Sequence, residues 1–210
     1  MEFHIKDRIK PDAKILLIKL RSIGDVVYNT AVYSPIKKHL PNARLTVLVE
    51  SPSFEIVKNH PDIDEVLCFK KGTFFEQVKF YFKLISNRYD VAIDMHEGTR
   101  GAVMCFLSFA RFKIGGKFAR RSFLYNTKIN FSDLKPTVPL DYQVALISKL
   151  GVPFKNPQPI IHVSEEWRKS ARDLLTSKNF DSENPYCIIH PGARKYDQWQ
   201  FEKFAKIAEY

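Results

Sequence analysis

Hydrophobic and polar positions along this chain switch repeatedly between a strand pattern and a helical one. Ile15, Leu16, Leu17, Ile18 and Leu20 form a nearly unbroken apolar run, as a strand covered on both faces requires. The run empties into Ser22-Ile23-Gly24-Asp25, and from Asp25 to about His39 the apolar positions Val26, Val27, Ala31, Val32 and Ile36 roughly follow helical spacing. Ser22 and Gly24 are expected to permit the tight turn between the two elements. The alternation continues, with strands expected at 44–49, 65–69, 91–94 and 112–114, and helices at 53–59, 74–87, 98–110 and 142–150. Gly115-Gly116 reads as a break, and Phe75, Val78, Tyr81, Phe82 and Ile85 read as a helical stripe packed into the core. This order predicts an α/β fold with a mainly parallel sheet and helices on both faces.

A boundary is expected where G-V-P-F-K-N-P-Q-P, at 151–159, concentrates prolines and a glycine. It divides the chain into domains at 1–155 and 156–210. The second begins with a strand at 160–163 and a helix capped by Ser164, with Glu165 and Glu166 in its first turn. A strand at 186–190 and a helix at 200–210 follow. The apolar rhythm Phe201, Phe204, Ile207 and Ala208 runs to the last residues. A Rossmann-like domain needs about 100 residues or more, so the expectation is one complete domain and part of a second.

Composition narrows the class. With 45% hydrophobic and 27% charged residues in 210, the chain can bury a sizeable core. Cys68, Cys105 and Cys187 are odd in number and scattered. They suggest neither a disulfide framework nor a zinc site, and fit a reducing cytoplasm. The opening residues lack the apolar core of a signal peptide, and the longest apolar stretch, 102–110, is far short of the ~20 residues that span a bilayer. The expectation is a protein neither exported nor membrane-spanning. The net charge is +10, and between Gly98 and Ser132 seven basic residues occur with no acidic one. Such a segment attracts anions unless it is merely a solvated face. Nucleic acid is the first anion to consider, yet zinc-finger spacing, basic heptads and an RNP-like aromatic strand are all missing.

Two segments carry candidate chemistry. Asp25 stands in the first turn of a helix, where an acid complements the helix dipole. The same position lies at the carboxyl end of a strand, where ligands collect in open α/β sheets. The second segment, C-I-I-H-P-G-A-R-K at 187–195, again passes from an apolar run into a glycine-bearing loop. Gly192 and Ala193 allow close backbone approach to a ligand, and Arg194 and Lys195 supply charge for a phosphate. His190 reads as a packed histidine at a strand end or as a catalytic one; His96 and His162 have less to recommend them.

Taken together, S-I-G-D-V at 22–26, V-A-I-D-M-H-E-G at 91–98, H-P-G-A-R at 190–194 and W-x-x-x-x-F at 199–204 resemble the heptosyltransferases of lipopolysaccharide biosynthesis, glycosyltransferase family 9. The resemblance extends over essentially the whole chain. It implies a GT-B architecture, in which the first domain holds the acceptor, a Kdo sugar on lipid A, and the second holds ADP-heptose. It further implies inverting transfer with Asp25 as general base, and a donor diphosphate met by Gly192, Ala193, Arg194 and Lys195. Ser22, Gly24, Lys113, Lys117, Arg120 and Arg121 are the residues expected on the acceptor side. No metal or cofactor beyond the donor sugar nucleotide is implied. The expected setting is the cytoplasm, peripheral to the inner face of the bacterial inner membrane. Two departures stand out: Asp197 occupies a position commonly basic in the family, and the family's later D-x-G-x-x-H segment has no counterpart. Alternative readings are a transferase of the same family using another sugar, and a non-catalytic half-enzyme that binds the acceptor or a partner chain. A nucleic-acid-binding protein ranks behind both.

Overall fold

The computed structural model describes residues 3–180, 184–192 and 199–209. The chain divides into two compact units, Met1–His162 and Val163–Tyr210. The first is built on a six-stranded sheet of order β3-β2-β1-β4-β5-β6, with every neighbouring pair parallel. The strands are β1 (Lys14–Ile18), β2 (Arg44–Glu50), β3 (Glu65–Phe69), β4 (Val91–Asp94), β5 (Phe112–Gly116) and β6 (Thr127–Ile129). This is the doubly wound Rossmann order, whose topological switch point lies between β1 and β4.

The apolar run of β1 divides by parity, as a period of two demands. Ile15 and Leu17 enter one core with Val47, Val91, Ile93 and Ile114. Leu16 and Ile18 enter the other with Leu48, Leu67 and Ala92. The first core is covered by α1 (Ile23–Asn29), α2 (Tyr33–His39), α3 (Ser51–Val57) and α6 (Pro139–Ser148). The second is covered by α4 (Phe74–Ser86) and α5 (Thr99–Leu107). Crossovers leading away from the switch point in opposite directions must use opposite faces if both are right-handed.

The expected single helix from 25 to 39 is two helices joined by a 3₁₀ turn, Thr30–Val32. Pro35 stands third in α2; without an N–H it cannot bond the Ala31 carbonyl, and its ring crowds that carbonyl, so the preceding turn tightens. Gly24 is not a turn residue. It is the second residue of α1, and a Cβ there would meet open space. Nor do Gly115 and Gly116 break the chain, because β5 continues through both, buried. A Cβ on Gly115 would collide with the Tyr125 ring, and one on Gly116 with the Glu97 carboxylate. The short edge strand β6 follows, three residues that only pairing with β5 defines.

The aromatic stripe of α4 also differs from expectation. Phe80, Tyr81 and Leu84 face the core, whereas Phe75, Val78, Phe82 and Ile85 are exposed. More than half of the circumference of α4 is apolar, so periodicity alone could not choose the arc that meets the sheet.

Inside the first core, Asn29 links three elements. Its amide donates to Gln143 Oε1 (2.9 Å) on α6 and contacts Met95 Sδ (3.2 Å), while its Oδ1 accepts from Tyr33 Oη (2.9 Å) on α2. All three polar side chains are buried.

The second unit contains α7 (Glu165–Ser177) and α8 (Phe201–Ala208). Ser164 Oγ caps α7, accepting from Trp167 N at 3.2 Å. Trp199 packs edge-on against Phe204 at 5.2 Å, which joins the residue before the cap of α8 to its fourth position as a hydrophobic staple. The W-x-x-x-x-F spacing is thus a helix-start device. The strands expected at 160–163 and 186–190 are not formed. A strand exists only through pairing, and no described ladder reaches either segment.

Replacing Asn29 by Ala leaves the Tyr33 hydroxyl and Gln143 carbonyl without their buried partner. The expected loss is about 1–3 kcal/mol, read as a lower urea midpoint at unchanged slope. A change below ~0.5 kcal/mol, the scatter of ordinary surface substitutions, would show that the network does not tie α1, α2 and α6.

Candidate functional site

The site sits at the carboxyl ends of β1 and β4. The β1 ladder persists beyond the strand, with Lys19 N on Leu48 O (3.0 Å) and Met95 N on Ile18 O (3.0 Å). Lys19 itself is buried, and its Nζ donates to Met95 O at 3.0 Å. Burial lowers its pKa, against the opposing pull of Asp25, Glu97 and Asp94. This lysine interrupts the apolar run of the first strand, and that interruption was the signal for it in the sequence.

Asp25 lies in the first turn of α1, half-buried. Its Oδ2 accepts from Ser22 N (3.1 Å) and Ser22 Oγ (3.4 Å), so the helix cap also orients the carboxylate. Asp25 lines a cavity of about 370 Å³ together with Lys19, His96, Glu97, Tyr142 and Gln143. Ser22 therefore acts by holding Asp25, and Gly24 leaves the outer side of that turn open.

The opposite wall of the cavity comes from the loop after β4. Asp94 ends that strand fully buried. Its Oδ1 accepts from His96 N (2.8 Å) and Glu97 N (3.2 Å), and its Oδ2 from Tyr125 Oη (2.7 Å). Burial pushes the Asp94 carboxyl up to about 6, against the effect of these hydrogen bonds. Gly101 is required here, since a Cβ would strike the Asp94 carboxylate. Glu97 adopts φ 56°, a left-handed conformation uncommon for residues other than glycine. Its pKa is raised, first by burial and then by Asp94. That of His96 is lowered by burial and by the nearby Lys19 and Arg21 charges. The motif M-H-E-G thus supplies two groups to the cavity, Glu97, for which the sequence offers no role, and His96, which by sequence has little to recommend it.

A second cavity of about 350 Å³ adjoins the first, sharing Glu97, Phe131 and Tyr142. Lys117 and Lys135 line its far side. Phe131 and Tyr142 meet edge-on at 6.0 Å, an aromatic wall of the kind that can stack on a sugar ring. Each cavity falls within the range that holds a small ligand.

Of the basic residues expected on the acceptor side, Lys117 lines the second cavity. Arg120 and Arg121 are exposed in the turn after β5, where Arg121 Nε reaches Thr99 Oγ1 at 3.3 Å. Lys113 is placed elsewhere: its Nζ bonds Ala110 O (2.9 Å) at the amino end of β5. Arg100 is ion-paired with Glu50, and Arg111 lies over the Phe112 ring at 5.0 Å. The basic segment is therefore dispersed over several environments. In the second unit Gly192 is exposed, with room for a Cβ restricted by His190 Cε1 at 2.8 Å. Ala193, Arg194, Lys195 and Asp197 lie outside the described residues. Among the described residues no three His, Cys, Asp or Glu side chains are grouped to hold a metal.

Asp94 allows a pH test with a definite sign. Its folded pKa is raised from 3.8 to about 6, so its protonated form stabilises the fold fully below about pH 4, and this contribution is lost as pH rises through 6. Relative to the wild type, Asp94→Asn is expected to gain about 3 kcal/mol between pH 4 and pH 7, the equivalent of that shift. Denaturant unfolding at the two pH values measures it. A constant difference between the two proteins would mean that Asp94 does not titrate in this interval.

Comparison with known proteins bears on the family and the fold. The model of glycosyltransferase family 9 (heptosyltransferase) matches residues 78–210. Lipopolysaccharide heptosyltransferase 3 of Escherichia coli K12 is 24% identical over 201 residues, 90% of this chain and 57% of that protein. The lipopolysaccharide core heptosyltransferase OpsX of Haemophilus influenzae is 25% identical over 199 residues, 92% of this chain and 55% of that protein. The chain thus spans little more than half the length of these relatives. Among solved structures, a family 9 glycosyl transferase from Veillonella parvula superimposes with a TM-score of 0.82 at 21% identity, covering all of this chain and 60% of that one. E. coli heptosyltransferase WaaC with ADP-2-deoxy-2-fluoro heptose gives 0.71 at 19% identity, over 93% of this chain and 64% of that one. These likenesses establish the fold, and the match of the family model across more than half of the residues establishes the lineage: the chain belongs to glycosyltransferase family 9.

Proposed function

We propose that the first unit is the acceptor side of an inverting heptosyltransferase, in which Asp25 is the general base. The observation that carries this reading is the placement of Asp25 beside the switch point of the sheet, opening onto the 370 Å³ cavity. The second unit is read as the beginning of the donor side. Gly192, Ala193, Arg194 and Lys195 are assigned to the diphosphate of ADP-heptose, a choice supported by the ADP-heptose analogue named with E. coli WaaC. The acceptor is read as the Kdo or heptose inner core of lipopolysaccharide, approached by a cytoplasmic protein peripheral to the inner membrane. No helix among the described residues is long and apolar enough to cross a membrane.

Inversion places base and leaving group on opposite sides of the anomeric carbon, so the base belongs to the acceptor wall and cationic groups to the donor wall. A carboxylate is too weak a base to ionise a sugar hydroxyl beforehand. It takes the proton as the new C–O bond forms and the bond to ADP breaks, with the displaced electrons passing to the diphosphate. Ser22 holds one carboxylate oxygen through two contacts and so presents the group in one orientation. Lys117 and the aromatic wall beside it are assigned to the neighbouring anionic part of the acceptor.

In the full-length protein, Asp25→Asn is expected to lower kcat by ~10²-fold or more, a usual general-base contribution, with acceptor binding retained. Near-normal turnover would remove Asp25 from the base role, and acceptor binding in a wild type without transfer activity would support a binding-only protein. Lys117→Glu is expected to raise the acceptor KM by ~10-fold or more, as loss of a charged contact does, with the donor KM unchanged. An unaltered acceptor KM would return Lys117 to the solvated surface.

A further inference from the structure

The exposed face of α4 is not accounted for by the core or by the cleft. Phe75 is 82% exposed, Phe74 75% and Phe82 72%, with Val78 and Ile85 also exposed on the same helix. Phe74, Val78, Phe82 and Ile85 recur at intervals of three and four residues and so form a row along the helix axis, with Phe75 beside it. Three phenylalanines left in water on one helix of 13 residues exceed the scattered single exposures of an ordinary surface.

The segment that carries this row bears charge mostly of one sign. Between residues 70 and 88 the basic groups are Lys70, Lys71, Lys79, Lys83 and Arg88, and the acidic group is Glu76. Glu76 is engaged in the capping box of the helix, accepting from Thr73 N (2.7 Å) and Thr73 Oγ1 (2.9 Å). Of the cations, Lys83 pairs with Glu65 at 3.0 Å. Phenylalanines on one arc and lysines beside them make the pattern of a helix lying in a membrane interface.

We infer that the exposed face of α4 docks on an anionic lipid bilayer, its aromatic side chains entering the headgroup boundary and its lysines meeting acidic headgroups. The charge selects this occupant. A second copy of the chain would bring an identical cationic rim against this one, on a protein of net charge +10, and like charges would oppose the contact. The topology also suits it. α4 leaves the carboxyl end of β3 and α1 leaves that of β1 in the same parallel sheet. Phe74 and Phe75 therefore stand on the edge that carries Asp25. Docking there brings the cleft to the surface in which a lipid-linked acceptor is held, and only this last step rests on the proposed acceptor.

The test uses the full-length protein and vesicles of phosphatidylcholine with or without phosphatidylglycerol, in the absence of both substrates, so that it stands or falls separately from the transferase reading. Binding is expected on the anionic vesicles and weakened by salt. Phe75→Glu with Phe82→Glu, and separately Lys70→Glu with Lys71→Glu, are each expected to reduce it by at least ~10-fold, since both apolar insertion and charge contribute. The indole introduced by Phe75→Trp should shift its emission to the blue on binding, and the melting temperature of the Phe75→Glu with Phe82→Glu variant should stay unchanged because the replaced rings are exposed. Three outcomes overturn the inference. Wild-type affinity of the Phe variant shows that the face is not used. A concentration-dependent dimer abolished by that variant assigns the face to a second copy. A melting temperature lowered by several degrees shows that the protein's own chain covers it.

Discussion

The parallel pairing of β1 with β4 is the constraint on which the site depends. Both strands are buried on both faces, so every backbone donor and acceptor between them must be met by the other strand. The register sets Ile18 opposite Asp94, and the ladder then continues into Met95 N on Ile18 O. Both chains must turn away at the same level, one into Asp25 and α1, the other into His96, Glu97 and α5. A cleft between those two turns follows from the crossovers, which leave in opposite directions.

That seam also determines the electrostatics. Lys19 crosses it to bond the Met95 carbonyl, which puts a buried ammonium among Asp25, Glu97 and Asp94. Burial acts on the two signs in opposite directions, raising Asp94 and Glu97 and lowering Lys19. Asp94 resolves its own burial by accepting from two backbone N–H groups and the Tyr125 hydroxyl. One carboxylate thereby shapes the loop that presents His96 and Glu97, and ties it to the segment before β6. The close approach of α5 at Gly101 and of β5 at Gly116 belongs to the same arrangement. Away from the cleft, α4 spends its apolar residues on two surfaces, Phe80, Tyr81 and Leu84 on the sheet and Phe74, Phe75 and Phe82 in solvent. A core alone does not require the second set.

Much of this was legible in the residues. The apolar run of β1, the Ser22–Asp25 turn and the alternation of periods placed five of the strands and most of the helices, because these features are local. The misses share a cause. β6 is defined by its pairing with β5, and the segments at 160–163 and 186–190, although apolar, have no described partner. Gly115 and Gly116 looked like a break, whereas their missing side chains make room for Tyr125 and Glu97. Lys113 is adjacent to Lys117 only in the sequence pattern: Lys113 stands at the amino end of β5, where its ammonium bonds Ala110 O, and Lys117 just past the carboxyl end, where it lines the second cavity.

By itself the sequence determined the α/β class and the strand-turn-helix setting of Asp25, since each depends on periodicity, capping residues and breakers within a few positions of one another. The tertiary structure decided which residues share the cleft with Asp25. His96 and Glu97 reach it, and Lys19 finds its Met95 partner, only because the crossovers set β4 beside β1, a juxtaposition of segments 76 residues apart for which buried-strand pairing, and no local pattern, is responsible. It likewise decided which arc of α4 meets the sheet, because a helix apolar on most of its surface leaves that choice to the neighbours against which it packs.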